Sequence, residues 1–199
     1  AITLGIDLIT TLFELTYREY ESAREIARGE RLLNAAVRRM YDDRRFYPDA
    51  NSTLRLSFGT VRGYDPYDGA TYGYYTTVRG VLEKVKAYAD DPDFQVQPEW
   101  VELLTSGDFG RYADSDGQMK VCFISDNDIT GGNSGSAMFN ERGELLGLAF
   151  DGNWEAMSSD LLFEPALQRT IGVDIRYVLF IMEKYGKAAH LVRELQMAD

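Results

Sequence analysis

The sequence predicts an α+β protein in which a strand-rich centre is flanked by helical segments. Apolar residues recur every three or four positions up to about residue 46 and again from about residue 174, as in amphipathic helices. Residues 53–58 alternate polar and apolar, as in a half-buried strand. Between residues 121 and 150, short apolar runs are separated by a glycine-rich loop and a hairpin turn.

The first helical segment begins with leucines at spacings of four, four and three, namely Leu4, Leu8, Leu12 and Leu15. A stripe of similar spacing continues through Ile26, Leu33, Val37 and Met40. Gly29 weakens the middle of the segment, so that either two helices or one kinked helix fits the pattern. Because apolar residues follow the first position directly, we expect a cut through a larger protein and a stripe that packs on a surface elsewhere.

Pro48 breaks the helical pattern and divides the chain into a helical segment, 1–47, and a strand-rich part, 48–199. The predicted elements of the second part are a strand at 53–58, strands and turns at 59–75, helices at 78–88 and 98–104, strands at 121–125, 136–139 and 144–150, and a helix at 174–197. The turn at 140–143 joins the last two strands as a hairpin.

Composition excludes several classes of partner and site. The net charge of −11 disfavours binding to nucleic acid and to anionic lipid. No apolar run reaches 18 residues, which predicts no membrane span, and residues 1–20 do not resemble a signal peptide, so any such signal would lie upstream. One histidine and one cysteine cannot assemble a zinc site, and we expect no metal and no cofactor. The cysteine, Cys122, is interpreted as a buried small hydrophobe.

The segment Thr130-Gly131-Gly132-Asn133-Ser134-Gly135-Ser136 is the best candidate for chemistry. A serine flanked by glycines can approach a carbonyl without obstruction by neighbouring side chains. Glycines also permit backbone angles that aim the N–H groups of Gly132 and Ser134 at one point, as an oxyanion hole requires. On the short motif alone an ordinary β-turn is the favoured interpretation, and the longer context decides between the two. The hairpin that follows would return residues 149–152 alongside the serine, as the wall of a specificity pocket.

The longer segment DNDITGGNSGSAMFNERGELLGLAFDGNWEAMSSD resembles the nucleophile region of the bacterial dipeptidyl-peptidases 7 and 11, the forty-sixth family of serine peptidases. FYPDANSTLRLSFGTVRGY, DFGRYADSDGQM and VDIRYVLFIMEKYG also resemble that family. The resemblance implies a chymotrypsin-like double β-barrel with a helical cap domain, of which this chain is the second barrel with flanking helices. It further implies release of dipeptides from free amino termini, a homodimeric full-length protein and a periplasmic or cell-surface location.

Four site residues carry over by position from the resemblance. Ser134 is the expected nucleophile, and Gly132 with Ser134 supplies the oxyanion donors. Asp151 is the expected partner of the substrate's α-ammonium group, although it could equally cap the strand end. Gly152 occupies the position that sets specificity, where glycine leaves an open, uncharged pocket for bulky apolar side chains, or else is a turn glycine. The chain departs from the family at Ala137, where proline is usual. A proline at the start of a strand adds rigidity, so its replacement does not change the assignment of the site residues.

The general base is the missing part of this site. The one histidine, His190, lies in the final helical segment outside any family motif, and is expected to be structural or exposed. In the family, the histidine and aspartate of the triad belong to the first barrel, which this chain lacks. We therefore expect an incomplete enzyme whose partners are a peptide substrate and the first barrel of the same protein, and which is inactive alone. A non-catalytic module that binds peptide amino termini, or an assembly domain, are the alternatives.

Overall fold

The computed structural model describes residues 2–44, 46, 54–159 and 161–198, with side chains from residue 20 onward. These residues form two compact units, Ala1–Pro48 and Asp49–Asp199. The assignment of these units to a helical cap and a second barrel stays a prediction. The leucine stripe from Leu4 to Leu15 and the end of the helical segment near Pro48 fall outside the described side chains and residues.

The first unit contains one uninterrupted helix, α1 (Ile2–Met40). Gly29 has open space around it and neither ends nor splits the helix, since the surrounding helix-forming residues offset its cost of about 1 kcal/mol. Arg38 and Arg39 in the last turn complement the partial negative charge of the helix end. Of the second apolar stripe, Ile26, Leu33 and Met40 are exposed.

The second unit is built on two antiparallel sheets. Strands β1 (Tyr64–Tyr67) and β2 (Ala70–Tyr72) form a hairpin. Five further strands pair in the order β3-β4-β7-β6-β5: β3 (Tyr75–Thr77), β4 (Lys120–Ser125), β5 (Ala137–Phe139), β6 (Leu145–Gly152) and β7 (Thr170–Asp174). Mixed helix and sheet therefore confirm the α+β class. In the described part of the chain β3 and β5 form opposite edges of an open sheet, and a closed barrel stays a prediction.

Helices pack against this sheet around one apolar core. The α-helices are α2 (Val78–Ala87), α3 (Pro98–Thr105), α4 (Ile175–Phe180) and α5 (Ala189–Val192); 3₁₀ turns span Pro92–Phe94, Gly110–Tyr112 and Trp154–Ser158. Phe180 of α4 is completely buried and meets the rings of Phe109 and Tyr112 edge-on at 5.7 and 6.1 Å. Such aromatic contacts add to the free energy gained by burying apolar area.

Two predicted elements differ from the structure. Residues 54–58 form no strand, and Leu54, Leu56 and Phe58 are almost fully exposed. No described neighbour pairs with this segment before the isolated bridge between Val61 and Ser125. An alternating sequence specifies two faces, but it becomes a strand only when a partner strand satisfies its backbone.

The prediction of one continuous helix at 174–197 is also wrong. The chain forms α4, a π-helical turn at Ile181–Tyr185 and α5, with Lys187 at a left-handed φ of 54° between them. Strand β7 precedes α4 directly and was not predicted; Asp174 ends the strand and accepts a hydrogen bond from the Arg176 N–H, which begins the helix. None of the described helices is long and apolar enough to cross a membrane.

Candidate active site

The glycine-rich loop connects β4 at the sheet interior to β5 at its edge. Gly132 and Gly135 have φ values of +99° and +81°, which residues with a Cβ adopt only at a cost. Between them Ser134 is exposed, and no described residue makes a hydrogen bond with its hydroxyl. The glycines therefore produce a tight, open turn that presents this serine.

Hydrogen bonds hold the loop in this shape. The N–H of Asn133 donates to the Thr130 carbonyl (3.2 Å), and the Asn133 side-chain oxygen accepts from the Thr130 N–H (3.1 Å). On the other side of the serine, the Gly135 N–H donates to the carbonyl of Ala149 (2.7 Å), and the Ala149 N–H donates to that of Ser136 (2.8 Å). The last two bonds attach the loop directly to β6, the strand that returns from the hairpin.

The segment before β1 lies along the beginning of the loop. The Thr60 N–H donates to a carboxylate oxygen of Asp126 (2.6 Å), and that carboxylate also pairs with Arg62 (2.6 Å). Arg55 donates to the Thr130 hydroxyl (3.1 Å). Asp126 is thus engaged in shaping the loop.

One pocket of about 190 Å³ brings together three of the four predicted site residues. Ser134 lines it from the loop, and Asp151 and Gly152 line it from the end of β6. Gly132 does not line the pocket. The remaining wall is formed by residues 127–131, Phe150, Asn153, Ala156, Met157, Ser159, Phe163, Arg169 and Thr170.

The possible oxyanion donors make no hydrogen bond with any residue that the structure describes. No described residue accepts from the N–H of Gly132 or from that of Ser134. Asp151 is exposed, and its Oδ1 accepts the N–H of the following Gly152 (2.8 Å). This bond fits the strand-end interpretation and also fixes the carboxylate at the pocket.

Sequence reasoning missed a polar network that includes two residues of the pocket wall, Asn153 and Arg169. The Asn153 side chain accepts from the Arg169 N–H (2.8 Å) and donates to the Leu167 carbonyl (2.9 Å) and to a Glu155 carboxylate oxygen (2.8 Å). Gln168, 2% exposed, donates to the Glu155 carbonyl (3.0 Å). These contacts hold the segment after β6 against the residues that lead into β7. No sequence motif predicts these hydrogen bonds, because they depend on which polar groups the fold buries.

Arg169 is the most unusual member of the network. It is 3% exposed, and its guanidinium donates to four backbone carbonyls, those of Pro165, Gln168, Ala166 and Gly63. Burial lowers the pKa of this guanidinium below its ordinary value, because the charged form loses solvation. The cation therefore ties the turn at residues 165–168 to Gly63 at the pocket wall.

Other residues of interest lie away from this pocket. His190 is exposed on α5 and does not line it. Trp154 is 84% exposed and does not line it either. A larger pocket of about 410 Å³ contains none of the predicted site residues; it lies among Val78, Leu82, Leu104, Phe109 and Met119 and neighbouring polar residues.

Comparison with known proteins identifies the family of the chain. The model of the family Peptidase S46 matches residues 1–197. The chain therefore belongs to this family of serine-type peptidases.

The similar proteins are dipeptidyl-peptidases. The chain is 51% identical to the dipeptidyl-peptidase 7 of Porphyromonas endodontalis over 200 residues, which is 99% of this chain and 24% of that protein. It is 41% identical over 192 residues to the Asp/Glu-specific dipeptidyl-peptidase of the same organism, covering 92% of this chain and 26% of the relative. This chain thus spans about a quarter of the length of these relatives.

Solved structures show the same fold. The crystal structure of Porphyromonas endodontalis DPP11 in complex with the dipeptide Arg-Asp matches with a TM-score of 0.71 and 42% identity, over 79% of this chain and 23% of that one. The complex of the same protein with Arg-Glu matches with a TM-score of 0.70 and 43% identity, over 80% and 23%.

Proposed function

We propose that this chain supplies the nucleophile and the substrate pocket of a serine dipeptidyl-peptidase, which releases dipeptides from the amino end of peptides. The observation that carries the proposal is the pocket shared by Ser134, Asp151 and Gly152. It is supported by membership of the family and by the dipeptides bound in the DPP11 structures.

Ser134 would attack the carbonyl of the scissile bond. Its exposure and its freedom from described hydrogen-bond partners leave the hydroxyl available to substrate and base. The N–H groups of Gly132 and Ser134, which no described residue accepts, would stabilise the oxyanion of the tetrahedral intermediate. A single donor of this kind contributes about a hundredfold to a thousandfold in kcat.

Asp151 would limit the cut to two residues from the amino end. Its Oδ1 is held by the Gly152 N–H, and its carboxylate faces the pocket as the partner for an α-ammonium group. An ion pair with Asp151, in the pocket that Ser134 also lines, would place the second peptide bond of a substrate at the nucleophile. Blocking the amino group should then abolish productive binding.

A hydrophobic residue is the preferred side chain before the scissile bond in this proposal. Phe150, Ala156, Met157 and Phe163 contribute apolar surface to the pocket, and Gly152 adds no side chain. Arg169 is the cation of the wall; its two Nη groups donate to backbone carbonyls, whereas its buried Nε has no partner among the described residues. An apolar side chain would therefore gain burial without leaving a charge unpaired.

The general base must come from outside this chain. His190, the one histidine of the sequence, is exposed on α5 and away from the pocket. The proposed partners are accordingly a first barrel that carries histidine and aspartate, and a peptide substrate. A homodimer in the periplasm or at the cell surface completes the proposal. The chain alone is expected to show no turnover, because loss of the triad base costs about a millionfold in kcat in subtilisin.

The test replaces the aligned quarter of the Porphyromonas endodontalis dipeptidyl-peptidase 7 with this sequence, since 51% identity allows the graft to pack. The chimera should release a fluorophore from dipeptidyl substrates with Leu or Met before the scissile bond. Ser134→Ala should reduce kcat about a millionfold, to background. Ser136→Ala, on the same loop, is the matched control and should retain activity.

Two outcomes would contradict the proposal. A folded chimera that retains activity after Ser134→Ala would exclude this serine as nucleophile. A folded, inactive chimera that still binds dipeptides would favour the alternative of a non-catalytic module for peptide amino termini. Turnover by the chain alone, abolished by Ser134→Ala, would contradict the external base.

A further inference from the structure

Gly152 in the pocket is confined by a single methyl group. A Cβ built on this residue would lie 2.8 Å from the Cβ of Ala156, closer than non-bonded carbons approach. The next nearest atom, the carbonyl oxygen of Arg169, is 3.9 Å away, which is ordinary contact. The backbone of Gly152 is outside the left-handed region, so its φ does not require glycine. The obstruction comes from Ala156 alone.

Hydrogen bonds hold the backbone of Ala156 in this position. Its N–H donates to the Asn153 carbonyl (2.9 Å), and its own carbonyl accepts from the Ser159 N–H (3.0 Å), within the 3₁₀ turn Trp154–Ser158. The preceding carbonyl, that of Glu155, accepts from the buried Gln168 side chain (3.0 Å). Moving the methyl would disturb hydrogen bonds on both sides of the residue.

We propose that Ala156 is a second specificity-determining residue of the pocket, acting jointly with Gly152. Its methyl group occupies the space in which any side chain on residue 152 would begin. The pocket can therefore acquire a longer or charged side chain at 152 only when residue 156 loses its methyl group. This role rests on the proposed function, whereas the steric coupling of the two positions does not.

The coupling is tested by unfolding of the chain itself. Gly152→Ala should lower the folding equilibrium constant about tenfold or more, the usual effect of overpacking. In the Ala156→Gly background the same substitution should change it by no more than about twofold. Gly73→Ala is the matched control, because this glycine also lies outside the left-handed region and has open space around it. An equal cost for Gly152→Ala in both backgrounds would overturn the inference.

The specificity role is tested in the chimera with substrates that carry Asp or Leu before the scissile bond. Gly152→Arg alone should lower kcat/KM for both substrates. Gly152→Arg with Ala156→Gly should raise the Asp-to-Leu ratio of kcat/KM about a hundredfold over the parent, since a desolvated guanidinium recognises a carboxylate and rejects an alkyl chain.

The outcomes separate this inference from the proposed function. If Gly152→Arg alone shifts the preference as far as the double variant, Ala156 is not a determinant. If the folded parent chimera is inactive, the proposed function fails and the specificity role with it. In that case the unfolding measurements of Gly152→Ala in the two backgrounds still decide whether positions 152 and 156 are coupled.

Discussion

Asn153 offers a quantitative test of how the pocket is held together. Its side chain makes three hydrogen bonds: those with the Arg169 N–H and the Leu167 carbonyl join the end of β6 to the chain that enters β7, and the third goes to the nearby Glu155 carboxylate. Asn153→Ala removes all three at once. It leaves the N–H of the buried Arg169 and the half-buried carbonyl of Leu167 without these partners.

The expected loss of unfolding free energy follows from the number of polar groups that lose a hydrogen-bond partner. A buried polar group that loses its partner costs about 1–3 kcal/mol. With one such group on a buried residue and one on a half-buried residue, we expect Asn153→Ala to lower the free energy of unfolding by about 2–4 kcal/mol. That is a large fraction of the stability of a typical domain.

Urea unfolding followed by tryptophan fluorescence is the appropriate assay, because Trp100 and Trp154, the two tryptophans, belong to the second unit. Asn140→Ala is the matched comparison: its half-buried side chain also makes three hydrogen bonds, but at a hairpin turn whose residues 141–143 are exposed, so that water can reach the partners that it leaves. It should cost about 1 kcal/mol. If Asn153→Ala costs no more than Asn140→Ala, the network does not support the pocket wall.

Two further predictions concern ionisable groups. Hydrogen bonds from Tyr112 and, to a smaller extent, from Arg111 lower the pKa of Glu183 below its ordinary 4.5. The contribution of Glu183 to the free energy of unfolding is therefore complete above pH 4.5 and is lost as the pH falls through the lower folded-state pKa. Glu183→Gln should flatten the acid limb of a plot of unfolding free energy against pH, whereas Glu141→Gln, at an exposed turn, should leave it as in the parent. Burial raises the pKa of the Cys122 thiol, so a disulfide reagent at neutral pH should label it about tenfold or more slowly in the folded than in the urea-unfolded chain. Equal labelling rates would contradict its placement in β4.

Local patterns predicted the parts of the fold that depend on neighbours in sequence. The helix α1, the proline at the start of α3 and the hairpin between β5 and β6 all match their predicted positions within a few residues. The convergence of Ser134 with Asp151 and Gly152 was also predictable, because a hairpin of this length must return its second strand beside the loop. Their chemical roles stay predictions.

Features that depend on tertiary partners could not be predicted in this way. The alternation around Leu56 is compatible with a strand, but a strand forms only beside a pairing partner, and local sequence does not show whether a partner is present. Strand β7 passes into α4 at Asp174 with no glycine or proline between them, so no local signal separates the two elements. The burial of Arg169 depends on chain segments that are distant in sequence, because Gly63 accepts one of its hydrogen bonds.

The central claim, that Ser134 is a nucleophile in a pocket that recognises a free amino terminus, is tested most directly by covalent labelling. The chimera would be treated with a dipeptidyl phosphonate that has a free amino group, and the modified residue would be located by mass spectrometry. We expect one phosphonyl group on Ser134, prevented by excess dipeptide and absent when the reagent is acetylated at its amino end. A label on another serine, or equal labelling by the acetylated reagent, would contradict the claim.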